Sequence, residues 1–227
     1  MSLVEKILPY ERDLFLWLNS RHTDYWDTFM WIYSGKLVWL PLAVTGLVVF
    51  VYKIKWKEAL LFLFCASLVG ILCDYIPATL IKPYFERLRP THHPDFQTYV
   101  EIVKGYRGGS YGFISNHASN GFGIVAFTSL LFRYRRLTVV MIIWAAITAY
   151  SRIYLGVHFV SDVVGGAIWG VFTGFLVYYI YLTSRRYILK VPERKLQMPV
   201  YDKERAKIII GVIALTIVSI ALYSGIF

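Results

Sequence analysis

Residues 137–183 read LTVVMIIWAAITAYSRIYLGVHFVSDVVGGAIWGVFTGFLVYYIYLT, and this stretch decides the fold. Two apolar segments, 137–154 and 161–183, meet at a short turn, around which lie an arginine, a histidine and an aspartate. A transmembrane helix needs roughly 20 mostly apolar residues. The stretch therefore predicts two antiparallel membrane helices. Because charge beside a membrane span is costly, the three charged residues need a reason to be there.

The whole chain has the composition of an integral membrane protein. Its 227 residues are 57% hydrophobic and 18% aromatic, with a mean hydropathy of +0.53, whereas a soluble domain carries more charge. Four further apolar blocks are predicted to span the membrane: 36–53, 57–81, 117–133 and 207–226. We therefore predict an all-α fold, a bundle of six transmembrane helices that forms a single domain over residues 1–227.

The N-terminal segment 1–35 is too charged for a cleavable signal peptide. Its spaced apolar residues predict a helix that lies at the membrane interface.

The net charge of +10 is unevenly distributed along the chain. Three alternate connections hold 14 of the 24 lysines and arginines, in the ranges 53–57, 133–136 and 185–207. By the positive-inside rule these connections are cytoplasmic, which predicts an inner-membrane protein whose other connections face the periplasm or the cell exterior. The basic charge thus indicates topology and contact with membrane lipids, and it does not indicate a nucleic-acid partner.

The extracytoplasmic loop 82–116 is long enough that a function is expected for it. Its aromatic and glycine-rich part, GYRGGSYGF at 105–113, predicts an ordered element. Three polar clusters lie at the ends of predicted spans on this face: Lys82 with Arg89; Ser115 and Asn116 with His117; and Arg152 and His158 with Asp162.

Each cluster alone has a purely structural interpretation. The cations Lys82, Arg87 and Arg89 could be snorkelling side chains, the serine and asparagine a helix N-cap, and the histidine an ordinary interfacial residue. Their occurrence together, at one membrane depth, favours a functional site.

The third cluster has the spacing of a positioned nucleophile. His158 and Asp162 are four residues apart, so they share one face of a helix that begins near His158. A carboxylate there fixes the imidazole tautomer and leaves the second nitrogen free to attack or to act as a base. Arg152 adds a planar guanidinium that is suited to phosphate.

The other two clusters complete an anion site. Lys82 and Arg89 are cations, Ser115 and Asn116 open a helix whose free N–H groups favour anions, and His117 is a second histidine. The set predicts a phosphate site in which one histidine attacks and the other donates a proton. We expect no metal and no cofactor, because acidic ligands are few and three cations would repel a metal ion.

These residues resemble the signature of the type 2 phosphatidic acid phosphatase superfamily, which reads K-x6-RP, PSGH and SR-x5-H-x3-D. KPYFERLRP at 82–90 and SRIYLGVHFVSD at 151–162 match it in full. ISNH at 114–117 keeps the serine and the histidine but has Ile114 and Asn116 where the family has proline and glycine.

The resemblance implies a role for each residue. His158 would form a phosphohistidine while Asp162 holds it, and His117 would protonate the leaving oxygen and later activate water. Phosphate would be held by Lys82, Arg89, Ser115, Arg152 and the backbone N–H groups at Asn116 and His117.

The implied activity is hydrolysis of a lipid phosphate that reaches the site sideways from the bilayer. Undecaprenyl pyrophosphate, phosphatidylglycerol phosphate and phosphatidate are all candidate substrates. A lipid A phosphatase or phosphotransferase is the alternative within the class. An anion transporter or channel is a distant alternative, because the charges lie at one face and no inverted repeat is visible.

Gly166, Gly170 and Gly174 recur every four residues in the span 161–183. Small residues at this spacing predict close contact with a neighbouring helix. His158 and Asp162 continue the spacing, so we expect them to face the interior of the bundle.

Overall fold

The computed structural model describes residues 4–226, so residues 1–3 of the predicted segment 1–35, and residue 227, lie outside it. The chain forms eight main helices: α1 (Leu8–Asn19), α2 (Asp24–Ser34), α3 (Leu40–Val51), α4 (Trp56–Phe85), α5 (Asn116–Phe132), α6 (Arg135–Tyr154), α7 (Val160–Tyr187) and α8 (Lys203–Ser224). Single turns at Glu5–Ile7, Leu37–Trp39, Val103–Gly105 and Glu193–Leu196 complete the described helices. The predicted all-α class is confirmed.

Four helices are long and apolar enough to cross a membrane, namely α4, α6, α7 and α8. Helices α2 and α3 pass the same test only as a pair, and a bend of 66° separates them. Helix α5 has 17 residues, or about 26 Å, which is less than the roughly 30 Å of a hydrocarbon core. The protein is thus a multi-pass membrane protein. By length and composition, residues 4–226 contain four candidate spans, or five with the bent pair, and the predicted number of six is not confirmed.

The N-terminal segment contains two helices where the sequence predicted one. Helix α1 packs on α6 and α7. Its Phe15 is buried, with ring centroids 5.1 Å from Phe159 and 6.1 Å from Phe96. The opposite face exposes Tyr10 and Trp17, aromatic residues of the kind found on interfacial helices. Helix α1 therefore covers one side of the bundle as well as carrying an exposed aromatic face.

Helices α5 and α7 pack together along their length and form the centre of the bundle. A Cβ atom on Gly166 would lie 2.5 Å from the main-chain oxygen of Ser115, and one on Gly174 would lie 2.7 Å from that of Gly123. Only glycine allows this approach, so the predicted close contact is confirmed. The same contact brings the start of α5 to the start of α7, where the Ser115 amide donates to the main-chain oxygen of Asp162 at 2.9 Å.

The three basic connections gather at the other end of the bundle. The Arg185 Nε lies 2.6 Å from Glu58 Oε1, and Arg133 donates to the main-chain oxygen of Gln197 at 2.7 Å. The first contact joins the end of α7 to the beginning of α4, and the second joins the end of α5 to the segment that precedes α8. The basic end and the end that holds the predicted site are therefore opposite ends of the molecule.

The long connection between α4 and α5 is ordered, as its composition predicted. The Arg89 amide donates to the Ser110 oxygen at 3.0 Å, and the Gly112 amide donates to the Arg87 oxygen at 2.8 Å, so the connection folds back on itself. Helix α4 continues to Phe85. Lys82 thus lies on the last turn of a helix and not in the loop that was predicted to begin there.

Candidate phosphate-binding site

The three predicted clusters meet at the end of the bundle formed by the last turns of α4 and α6 and the first turns of α5 and α7. His158 lies between α6 and α7, is buried, and has its pKa well below the usual value. Burial is the main cause, since it disfavours the charged imidazolium, and the positive charges of Arg89, Lys82 and Arg152 add to it. The positive charges of Arg89, Lys82 and Arg152 are therefore close enough to act on the imidazole, and Arg89 contacts it directly.

Both ring nitrogens of His158 have partners. The Nδ1 atom lies 3.3 Å from Asp162 Oδ2, and the Nε2 atom lies 3.2 Å from the Arg89 Nη1 atom. An arginine can only donate a hydrogen bond, so Nε2 must accept with its lone pair and Nδ1 must carry the proton. This assignment of the tautomer leaves the lone pair of the ring on Nε2.

Asp162 is held by a buried chain of alternating charges. Its Oδ1 accepts from Arg87 Nη1 at 2.7 Å, and its Oδ2 accepts from the Phe159 amide at 3.0 Å. The Arg87 Nη2 atom donates in turn to Glu11 Oε1 at 2.5 Å. The order Glu11, Arg87, Asp162, His158 therefore runs from α1 to the reactive imidazole without leaving the protein interior.

Arg87 and Glu11 are residues that the sequence did not assign to the site. Arg87 was included only among cations that could snorkel to the interface, and Glu11 lies in the segment that was predicted to be interfacial. No sequence signal connects two residues that are 76 positions apart. A buried arginine and a buried glutamate become apparent only when the helices are packed.

Arg152 is also buried, and it contacts residues from two other parts of the chain. Its Nη1 donates to the Ser34 hydroxyl of α2, and its Nη2 donates to the Tyr106 hydroxyl at 3.3 Å. Burial raises the pKa of Tyr106, but the hydrogen bond and charge of Arg152 outweigh it, so the net pKa is lowered. The bonds to Ser34 and Tyr106 use two of the five N–H donors of the guanidinium, which leaves one further N–H on each Nη atom. The Arg152 Nε atom is shielded and has no protein partner within residues 4–226.

The loop approaches the site closely at Gly112. A Cβ atom there would lie 2.8 Å from Asp162 Oδ2 and 3.4 Å from Arg89 Cγ. A side chain at this position would therefore displace the carboxylate that orients His158. The glycine content of GYRGGSYGF thus has a packing reason at this residue.

His117, in the first turn of α5, lines a cavity of about 620 Å³ whose other walls come from α2, α4 and α6. The polar part of the wall includes Lys36, Asp74 and Asn120. Trp39, Ile124 and Trp144 line this cavity and also a second one, of about 400 Å³, whose walls are mainly apolar. The His117 side of the site thus continues into apolar space, whereas the His158 side is closed.

The Asn116 side chain points to α4. Its Nδ2 donates to both the main-chain oxygen and the Oδ1 of Asp74 at 2.9 Å. The main-chain amide of Asn116 remains at the beginning of α5, where helix N–H groups have no intrahelical acceptor. The predicted contribution of Asn116 to phosphate binding would therefore come from its backbone and not from its side chain.

Asp74 was overlooked, although the sequence held a signal for it. It is the only charged residue between Glu58 and Lys82 in an otherwise apolar span. In the part of the chain that the structure describes, no group of three or more His, Cys, Asp or Glu side chains is arranged to hold a metal ion.

An all-helical membrane bundle with paired histidines and converging cations at one end defines a class of membrane enzymes that act on phosphate groups. The model of the PAP2 superfamily matches residues 58–186, a range that contains all three clusters. This chain belongs to the PAP2 superfamily, and the predicted assignment to this family of lipid phosphatases is confirmed.

Two relatives and one solved structure show the similarity. The chain is 42% identical over 182 residues to a lipid A 4'-phosphatase of Porphyromonas gingivalis, with 80% of this chain and 77% of the relative covered. It is 36% identical over 179 residues to a lipid A 4'-phosphatase of Bacteroides thetaiotaomicron, with 78% and 80% covered. The crystal structure of a transmembrane PAP2-type phosphatidylglycerolphosphate phosphatase from Bacillus subtilis shares the fold, with a TM-score of 0.59 at 22% identity over 80% of this chain and 89% of that one.

Proposed function

We propose that this enzyme hydrolyses a lipid phosphomonoester through a phosphohistidine formed at His158. The observation that carries the proposal is the tautomer of His158: Asp162 lies at Nδ1, and Nε2 accepts from Arg89. In the first step Nε2 attacks phosphorus, the bond from phosphorus to the lipid oxygen breaks, and His117 gives that oxygen a proton. In the second step water attacks the phosphohistidine, His117 takes the proton from the water, and the phosphorus–nitrogen bond breaks.

The cations would stabilise the charge of the transferred phosphoryl group. Arg89 and Arg152 would donate to its equatorial oxygens, with Lys82 as a further positive charge. Arg152 supports this role because its bonds to Ser34 and Tyr106 leave a second N–H free on each Nη atom. Ser115 and the free N–H groups at the start of α5 would complete the site. Because the charge is provided by side chains and helix N–H groups, the proposed reaction needs no metal ion.

The substrate that we propose is the 4'-phosphate of lipid A or of a similar acylated sugar. The identity of 42% and 36% to two lipid A 4'-phosphatases supports this choice. Phosphatidylglycerol phosphate is the second candidate, because the chain is 30% identical over 148 residues to a phosphatidylglycerophosphatase B of Bacillus subtilis. The acyl chains would enter sideways through the two adjacent cavities, whose shared wall is Trp39, Ile124 and Trp144.

We further propose that the protein lies in the inner membrane, with the site on the extracytoplasmic face. The gathering of Arg133 and Arg185 at the opposite end of the bundle supports this orientation.

The test is phosphate release by the purified protein in detergent, with and without a chelator. The panel contains lipid A, phosphatidylglycerol phosphate, phosphatidate and undecaprenyl pyrophosphate. We expect release that the chelator does not reduce, fastest from lipid A. We also expect ³²P from labelled substrate on the wild-type protein as an acid-labile adduct, and none on His158→Ala.

Any result that differs from these expectations would contradict one particular part of the proposal. Loss of activity in chelator would refute the metal-free reaction, and a labelled His158→Ala protein would refute the nucleophile. Fastest release from phosphatidylglycerol phosphate would favour the second candidate. Transfer of the phosphate to another lipid, with none in solution, would show a phosphotransferase.

A further inference from the structure

Asp74 is a carboxylate inside a membrane-spanning helix, and the phosphate chemistry does not use it. It lies in a π-helical turn, Ile71–Tyr75, of α4. Such turns inside helices occur frequently at functional sites. The side chain is exposed to the cavity that His117 also lines. An ionisable residue within a membrane span is costly and usually functional, so its position needs an explanation.

The partners of Asp74 are neutral. Its Oδ1 accepts from Asn116 Nδ2 at 2.9 Å and from Asn120 Nδ2 at 3.2 Å. Among the described residues, no lysine, arginine or histidine forms an ion pair with it. An ionised carboxylate has about four acceptor positions, so acceptor capacity remains. The Oδ1 of Asn116, although shielded, likewise has no protein partner in residues 4–226.

A carboxylate repels phosphate, so Asp74 cannot be a ligand of the phosphoryl group. Hydrogen-bond acceptors bind donors, which in a lipid headgroup are hydroxyl and amide N–H groups. Asn116 is the neighbour of His117, which would protonate the leaving oxygen. The acceptors therefore lie where the group that carries the phosphate would be, on the side away from the cations around His158.

We propose that Asp74, Asn116 and Asn120 form a subsite that binds hydroxyl or N–H groups of a sugar headgroup next to the phosphate. The inference rests on the proposed function, because it places the leaving alcohol in the His117 cavity. The apolar cavity behind Trp39, Ile124 and Trp144 takes the acyl chains, while the subsite takes the sugar. Asn116 stands where the family motif has glycine, and its amide is what brings the helix start and Asp74 together.

The test compares two substrates that differ in headgroup donors. Lipid A presents its phosphates on an acylated glucosamine disaccharide, whereas phosphatidate has a diacylated glycerol with no free hydroxyl. We expect the ratio of kcat/KM for lipid A to kcat/KM for phosphatidate to fall about tenfold or more in Asp74→Ala, and less in Asp74→Asn. This is the size of one lost hydrogen bond to a charged group. The fall should lie mainly in KM for lipid A.

Thr79→Val is the matched control. Thr79 lies on the same helix, outside the cavity lining, and its hydroxyl donates to the Tyr75 main-chain oxygen at 2.7 Å. In Thr79→Val, the ratio of kcat/KM for lipid A to kcat/KM for phosphatidate should stay within about twofold of the wild-type ratio. If Asp74→Ala does not purify as a monodisperse protein, Asn120→Ala replaces it. We expect the same fall in the ratio for Asn120→Ala, which removes one donor to Asp74 without removing the charge.

The outcomes separate this subsite from the proposed function. A parallel loss with both substrates, or an unchanged ratio, would show that Asp74 only links α4 to α5. A wild-type protein that hydrolyses phosphatidate but not lipid A would overturn the subsite and leave a lipid phosphatase. A wild-type protein that releases phosphate from neither lipid would overturn the proposed function, and the subsite with it.

Discussion

His158 and His117 lie at the same site but in opposite kinds of surroundings. His158 is 1% exposed, and its ring is fixed between Asp162 and Arg89. His117 lines a cavity of about 620 Å³ and has an intermediate exposure. His158 is therefore part of a closed wall of the site, formed with Asp162, Arg89 and Arg87. His117 is part of an open wall, formed by the residues that line the cavity.

The difference corresponds to what the two proposed roles require. A nucleophile must present one nitrogen with its lone pair in a fixed direction, and a packed, hydrogen-bonded wall provides this. A proton donor must reach the leaving oxygen of a large lipid and later a water molecule, which requires access. The closed wall should therefore govern the chemical step, and the open wall should govern which lipid is accepted.

The largest expected effect is that of removing the two histidines. His158→Ala should lower phosphate release by at least about 10³-fold, because no other described group replaces the attacking nitrogen. His117→Ala should lower it less when the leaving group is a good one, such as a nitrophenolate, because a good leaving group needs no proton. The measurement is kcat/KM for p-nitrophenyl phosphate and for a lipid phosphate, because kcat/KM reports formation of the phosphohistidine and not its later hydrolysis, in which His117 also takes part.

A variant at His93 provides the control for loss of a histidine outside the proposed machinery. His93 packs edge-on to Phe96 at 5.2 Å between ring centroids, and His93→Gln should retain activity within a few-fold of wild type. An equal loss in His158→Ala and His117→Ala with both substrates would contradict the division of roles.

The second prediction breaks the closed wall behind His158. Arg87→Met leaves the carboxylates of Asp162 and Glu11 buried without the cation between them. Removing one member of a buried ion pair costs about 3–5 kcal/mol, so the melting temperature should fall. Release of the Asp162 carboxylate should also lower kcat by about 10- to 100-fold, because His158 is no longer held in one tautomer.

A spectroscopic measurement separates this positioning role from general destabilisation. In protein labelled with ¹⁵N-histidine, wild-type His158 should show one tautomer, with Nδ1 protonated, and Arg87→Met should show a mixture. Arg12→Met is the control, since Arg12 lies 5.6 Å over the Phe96 ring on the same side of the bundle. A single unchanged tautomer in Arg87→Met would mean that Arg87 acts on stability alone.

The third prediction concerns pH and again depends on the closed wall. Burial and the charges of Arg89 and Lys82 lower the pKa of His158 well below its usual value of 6.5. The lone pair therefore persists as the pH falls, and the acid limb of kcat/KM should lie well below pH 6.5. Arg89→Gln should raise this pKa and move the limb to higher pH. If the acid limb of kcat/KM for the wild-type protein lies near pH 6.5 and is due to protonation of His158, burial and nearby cations do not lower the pKa of His158.

The same shift has a consequence for stability. Below its usual pKa the histidine binds a proton in the unfolded chain but not in the folded protein, so this group favours unfolding as the pH falls. Arg107→Gln is the control for loss of an arginine in the same loop, since Arg107 donates to the Thr91 oxygen at 3.0 Å. Arg107→Gln should leave the acid limb of kcat/KM at the same pH as in the wild-type protein.

The sequence predicted the fold class and those relations at the candidate site that lie close together along the chain. His158 and Asp162 could be placed together because a spacing of four residues fixes their relation on one helix, and Ser115 because an N-cap has a local signature. Each of these relations depends only on residues that lie within one helical turn of each other. The tight packing of α7 on α5 followed from the glycine spacing for the same reason.

Relations between distant segments could not be predicted in this way. Arg87 meets Glu11 across 76 positions, and Arg152 meets Ser34 across 118. Hydropathy also finds apolar blocks without showing where a helix bends, so the 66° angle between α2 and α3 was missed. That bend matters for the site, because it brings Ser34 to Arg152 and forms one wall of the cavity.

The smallest expected effect tests the boundary between the two walls, at Tyr106. Its hydroxyl accepts from Arg152 at 3.3 Å, and the ring lies 5.7 Å from the guanidinium carbon. Tyr106→Phe keeps the ring and removes only the hydroxyl, so Arg152 should be less well oriented for phosphate. We expect KM to rise about two- to tenfold for every lipid phosphate, the size of one hydrogen bond, with little change in kcat.

The expected result is uniform across substrates because Arg152 would contact the phosphate, which all of them share. Tyr111→Phe is a suitable control, as it removes a tyrosine hydroxyl from the same loop while the main-chain oxygen of Tyr111 still accepts from Arg89. A KM effect confined to lipid A would place Tyr106 with the headgroup instead. In that case Tyr106 would belong to the open wall, although it contacts Arg152. The site would then be divided into a part that binds the phosphate and a part that binds the sugar, and not into the surroundings of the two histidines.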